Sequence, residues 1–132
     1  MKFAIALFSS PHQPATRRAL RFAQAALAAG HEILRIFIYQ DGVHSASTNL
    51  IPPQDESDLP AEWQAFIQEH QLDAVVCIAA ALRRGVLDSQ EVQRHGRPGT
   101  AAVLREGWGL SGLGQLHEAA QQADRLICFG GH

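Results

Sequence analysis

Lys2-Phe3-Ala4-Ile5-Ala6-Leu7-Phe8 opens the chain as a near-continuous apolar run. A strand covered on both faces reads this way, whereas a half-exposed strand alternates apolar with polar residues. The residues that follow fit a parallel unit. A Ser/Pro/His loop runs from Ser9 to Pro14, and a helix is predicted from Ala15 to Ala29. Ala19, Leu20, Phe22, Ala23, Ala26 and Leu27 give that helix one apolar face, and Gly30 supplies a left-handed stop. Ile33, Leu34, Ile36, Phe37, Ile38 and Tyr39 read as the second strand.

Working outward, the same alternation continues. Asp41-Gly42 marks a turn, and the polar stretch to Ser57, punctuated by Pro52 and Pro53, reads as the longest irregular loop. A helix is expected over Leu59 to His70, with Trp63, Phe66 and Ile67 at i, i+3 and i+4. Ala74-Val75-Val76-Cys77-Ile78 is the third strand. Ala79 to Gly85 starts either a helix or a tight loop, and Asp88 to His95 is a short helix closed by Gly96 and Pro98. Ala101 to Leu104 fits a strand or a helix start equally. Gly112 to Gln122 is a helix capped by Ser111, and Arg125 to Phe129 is the last strand. Strands alternating with helices, without hairpin signals, predict an α/β fold with a mostly parallel sheet of about five strands and helices on both faces.

The chain has 132 residues, a length that fits one domain over 1–132. Its 46% apolar content excludes intrinsic disorder. A net charge of −2 argues against a dedicated nucleic-acid binder, which carries a basic face. No stretch reaches the roughly 20 apolar residues that cross a bilayer. The opening run is too short for an export signal, and Pro11, His12, Pro14, Arg17 and Arg18 stand where a cleavage region belongs. With no export signal, the two cysteines are expected as thiols in a reducing compartment, the cytoplasm.

Reactive groups in open α/β sheets collect outside the carboxyl ends of the strands. Cys77 stands near that end of the third strand, with Arg83 and Arg84 within seven residues. Thiolate is the sulfur nucleophile, and neighbouring cations favour it. The pattern therefore suits a reactive thiol at Cys77, against the plainer reading of a cysteine that packs in an apolar strand. Cys128, between Ile127 and Phe129, is expected to pack in the core. The seven histidines (His12, His31, His44, His70, His95, His117 and His132) are scattered, without the spacing of metal ligands, so no metal site is expected. Gly107-Trp108-Gly109-Leu110-Ser111-Gly112 matches G-x-G-x-x-G, but the chain ends before the acidic residue that a dinucleotide site needs. It reads instead as a flexible approach to a helix start. No G-x-S-x-G elbow supports a hydrolase.

Cys77-Ile78-Ala79-Ala80-Ala81-Leu82-Arg83-Arg84-Gly85-Val86 resembles the active-cysteine segment of the DsrE/DsrF sulfur-relay family. Leu110-Ser111-Gly112-Leu113-Gly114-Gln115-Leu116 is similar to a second signature of that family. Phe3-Ala4-Ile5, Phe22-Ala23-Gln24-Ala25, Gly30-His31-Glu32 and Phe37-Ile38-Tyr39-Gln40-Asp41-Gly42-Val43 are similar too, in the same order along nearly the whole chain. The resemblance implies a three-layer α/β/α fold and a sulfurtransferase that carries a persulfide on Cys77. It also implies a TusA-like sulfur donor, a TusE-like acceptor, and TusB-like and TusC-like homologous subunits in a heterohexamer. The product of such a relay is the 2-thio group of the wobble uridine in transfer RNA, with no cofactor required and no direct grip on the RNA. Assistance to the sulfur anion from Arg83, Arg84 and the Ser111–Gly112 helix start is an added expectation. Cys128 and the segment Ser9 to Arg18 depart from the family pattern. Two other readings stand beside this one: a non-catalytic subunit with Cys77 buried, and a small-ligand-binding module of flavodoxin type.

Overall fold

The computed structural model describes residues 1–131; His132 lies outside them. Five strands form one sheet: β1 (Lys2–Leu7), β2 (Glu32–Ile38), β3 (Ala74–Cys77), β4 (Trp108–Ser111) and β5 (Arg125–Phe129). Their order is β4-β3-β2-β1-β5, and every neighbouring pair is parallel. The helices are α1 (Pro14–Ala28), α2 (Leu59–His70), α3 (Ile78–Arg84), α4 (Ser89–His95) and α5 (Gly114–Gln122).

From β1 the chain steps through β2 and β3 to β4 on one side, and α5 then carries it back across the sheet to β5. Right-handed crossovers in opposite directions put α1 and α5 on opposite faces, which makes three layers. Side chains bear this out. Phe3 packs edge-on against Phe22 of α1, with ring centroids 5.2 Å apart. By the strand alternation Ile5 and Leu7 share that face, leaving Ala4 and Ala6 for α5. Arg35, paired with Ala4, donates to the carbonyl of Gln115 in α5 at 2.9 Å and to Asp73 at 2.7 Å. The core between α1, α2 and the sheet holds Leu20, Ile36, Ile38, Trp63 and Ile67, all buried.

Local signals explain several helix ends. Asp58 accepts from the Ala61 N–H at the start of α2, and Asp88 from the Glu91 N–H at the start of α4. Gly30, Gly85 and Gly96 take the positive φ that closes a helix.

Several expectations are corrected. The loop after β2 is not irregular from its start: Gln40–Ala46 forms a 3-10 helix whose Gly42, Val43, Ser45 and Ala46 are buried. Gly42 is required there, because a Cβ would collide with the carbonyl oxygen of Leu7. Ala101 to Leu104 is neither strand nor helix. It is an extended segment pinned by one antiparallel bridge, Ser47 to Leu104, and by the Thr48 N–H donating to the Val103 carbonyl at 2.9 Å. The glycine-rich Trp108–Ser111 stretch is β4, an edge strand, and α5 begins at Gly114 after Leu113. Ser111 is therefore a strand residue, and caps no helix.

Candidate active site at the end of the third strand

Cys77 is the last residue of β3 and the residue immediately before α3. The strand is wholly apolar and buried, Ala74-Val75-Val76-Cys77, and it sits between β2 and β4. That surrounding fixes Cys77 at the carboxyl end of the sheet, where the strand-to-helix turn brings the chain to the surface. Cys77 is 2% exposed, while Ile78 is half-buried and Ala79 exposed.

The neighbours differ from expectation. Ser111 pairs with Cys77 across β3 and β4, which brings its half-buried side chain beside the cysteine. Arg84 points elsewhere: its Nε donates to Oδ1 of Asp41 at 2.9 Å and its Nη1 to the carbonyl of Ala80 at 3.2 Å. Arg83 is exposed on α3. Among the described residues neither arginine donates a hydrogen bond to the sulfur. The adjacency of Arg83 and Arg84 in sequence could not reveal this, because it depends on where the 3-10 helix presents Asp41.

Cys128 is exposed, against the expectation that it packs in the core. It lies on the edge strand β5, opposite Ala6, so only one side of the strand is covered. It lines a cavity of about 560 Å³ with Ser9, Arg18, Gln40 and Gly130 at the carboxyl ends of β1 and β5. Alternation puts Cys77 and Cys128 on the same face of the sheet. They are three strand spacings apart, however, roughly 14 Å at about 4.8 Å per strand. A disulfide needs Cα atoms within about 7 Å, so the two cannot act as a resolving pair inside one chain.

A parallel five-stranded sheet flanked by helices, with a cysteine ending its third strand, defines the chain as an α/β protein with a thiol at the carboxyl edge of its sheet. Residues 1–129 match the DsrE/DsrF-like family, and the chain belongs to it. The "Sulfurtransferase TusD homolog" of Pseudomonas aeruginosa is 70% identical over 131 residues, covering 99% of this chain and 98% of that protein. "Sulfurtransferase TusD" of Enterobacter sp. (strain 638) is 47% identical over 111 residues, 84% of this chain and 85% of that one. The crystal structure of the ychN protein from E. coli superposes with a TM-score of 0.75, covering 98% of this chain and 99% of that one. At 17% identity it shows the shared fold alone. No helix among the described residues is long and apolar enough to cross a membrane.

Proposed function

We propose that this chain is a sulfurtransferase that carries a persulfide on Cys77 and relays sulfur between proteins. The observation that carries the reading is the place of Cys77 at the strand-to-helix junction, in a chain 70% identical to a sulfurtransferase over nearly its full length. In the loading step the Cys77 thiolate attacks the outer sulfur of a donor persulfide. A new S–S bond forms at Cys77, the donor's S–S bond breaks, and the donor leaves as thiolate. In the unloading step an acceptor thiolate attacks the outer sulfur on Cys77, and Cys77 leaves as thiolate. Both steps are thiol exchanges, whose rates follow thiolate fraction and access. No net oxidation occurs.

The donor in this reading is TusA-like and the acceptor TusE-like, acting in the cytoplasm. TusB-like and TusC-like subunits complete a heterohexamer, and the sulfur ends in the 2-thio group of a transfer-RNA wobble uridine. The near-neutral charge suits a protein that hands sulfur to another protein and does not track a phosphate backbone.

The 2% exposure of Cys77 favours one competing reading, a non-catalytic subunit with a packing cysteine. Transfer of labelled sulfur from a persulfidated donor separates the two. Cys77→Ala abolishes labelling if Cys77 is the carrier. Equal labelling of the variant and the native chain supports the non-catalytic reading. Alanine is the better replacement, since a buried serine hydroxyl without a partner costs about 1–3 kcal/mol.

A further inference from the structure

The strand registers decide what stands beside Cys77. Arg35 donates to the carbonyl of Gln115, so its side chain lies on the α5 face of the sheet. Alternation along β2 puts Phe37 and Tyr39 on that face as well. Phe37 is registered with Val75, which places Val75 and, two residues on, Cys77 there too. Tyr39 is one step past the registered pair Ile38 and Val76, and it keeps the ladder. Its backbone is extended, with φ −140° and ψ 163°, and its N–H donates to the Leu7 carbonyl at 2.9 Å. The residue level with it on β3 is therefore Cys77. Phe8, level with Tyr39 on β1, confirms the row, since the two rings meet edge-on with centroids 5.9 Å apart. Along the carboxyl edge of the α5 face the order is Phe8, Tyr39, Cys77, Ser111.

Tyr39 thus flanks Cys77 on the side away from Ser111, one strand spacing of about 4.8 Å across. It is half-buried. Among the described residues its phenolic O–H has no hydrogen-bond partner. A phenol carries its hydroxyl further from the backbone than serine does, past Sγ to the height of a second sulfur. We propose that Tyr39 is a further catalytic residue of this site, and that its O–H donates a hydrogen bond to the outer sulfur of the persulfide on Cys77. The inference rests on the reading of Cys77 as the carrier. The charge of an ionised persulfide sits on that outer sulfur, and a hydrogen bond to an ionised acceptor is roughly twice as strong as one between neutral groups. The bond therefore favours the loaded chain over the empty one. Tyr39 gives up no proton, and none of its covalent bonds changes.

The test is the equilibrium partition of labelled sulfur between a persulfidated TusA-like donor protein and the folded full-length chain, with the Cys77 peptide read by mass spectrometry. Tyr39→Phe removes the hydroxyl alone and keeps a ring against Phe8. It should lower the equilibrium constant for loading Cys77 about tenfold, the worth of one hydrogen bond to a charged group, with the thermal midpoint unchanged. Tyr39→Leu, which loses the ring as well, should load Cys77 no better than Tyr39→Phe. Native loading in Tyr39→Phe overturns the proposal. A defect confined to Tyr39→Leu overturns it too, because the ring then serves packing and the hydroxyl serves nothing. The two readings fail in different ways. Equal loading of the native chain and Tyr39→Phe removes the role of Tyr39 and keeps Cys77 as the carrier, whereas a native chain that takes up no sulfur on Cys77 removes both.

Discussion

Ser111, the last residue of β4, is the registered partner of Cys77, the last residue of β3. Neighbouring strands lie about 4.8 Å apart, so a serine hydroxyl stands within reach of whatever sulfur group Cys77 carries. The pairing follows from two short strands ending together at the carboxyl edge of the sheet, and it makes Ser111 the nearest polar side chain that β4 offers. A hydrogen bond from Ser111 to a persulfide anion is charge-assisted. Ser111→Ala should slow loading of Cys77 about tenfold, the worth of one hydrogen bond to a charged group. Single-turnover transfer from a persulfidated donor measures it, with the thermal midpoint unchanged.

The two thiols should differ sharply in reactivity. Cys128 is exposed on an edge strand and Cys77 is buried. A chromogenic disulfide reagent should titrate one thiol per chain rapidly and the second slowly, and both at once in denaturant. Cys128→Ser should remove the fast phase alone. Two equally fast phases in the native protein would contradict the burial described for Cys77.

Arg17 and Glu62 make a two-armed bridge between α1 and α2, with both N–H···O distances 2.7 Å. The hydrogen bonds from Arg17 chiefly hold the Glu62 carboxyl below its ordinary value, helped by charge attraction and opposed by burial. A carboxylate with a lowered folded-state pKa adds stability that is complete above its unfolded value and disappears as pH falls through the folded value. Both side chains are partly exposed, 29% and 41%, so solvent screening keeps the gain to about 1 kcal/mol or less. Glu62→Gln should lower the urea midpoint at pH ~7 by a corresponding small amount, and the difference should vanish once acid protonates Glu62 in the native chain.

Gly42 should resist substitution. Its Cβ position meets the Leu7 carbonyl and amide backbone, which cannot swing aside as a side chain would. Gly42→Ala should cost about 1–3 kcal/mol, as overpacking does, read from urea unfolding.

Elements whose signals are local were legible in the sequence. β1 announced itself through Lys2 to Phe8, α2 through Trp63, Phe66 and Ile67, and α4 through Asp88 and Gly96. The misread parts owe their form to distant contacts. β4 contains Gly109 and is flanked by Gly107 and Gly112, so its strand character comes from pairing with β3 and not from propensity. The 3-10 helix exists because Gly42 allows its backbone to lie against Leu7. Cys128 looks like a core residue between Ile127 and Phe129, but burial of a strand depends on its neighbours, and β5 has one. At the site, Cys77 and its strand end were readable. The bond from Arg84 to Asp41 was not legible, because it spans 43 positions.

The central claim is that sulfur resides on Cys77. Intact-mass and peptide mass spectrometry of the full chain after incubation with a persulfidated donor protein tests it most directly. The account predicts one added sulfur, removable by reductant, on the peptide that contains Cys77, retained in Cys128→Ser and lost in Cys77→Ala. Sulfur found on Cys128 alone, or loading that survives Cys77→Ala unchanged, would contradict it.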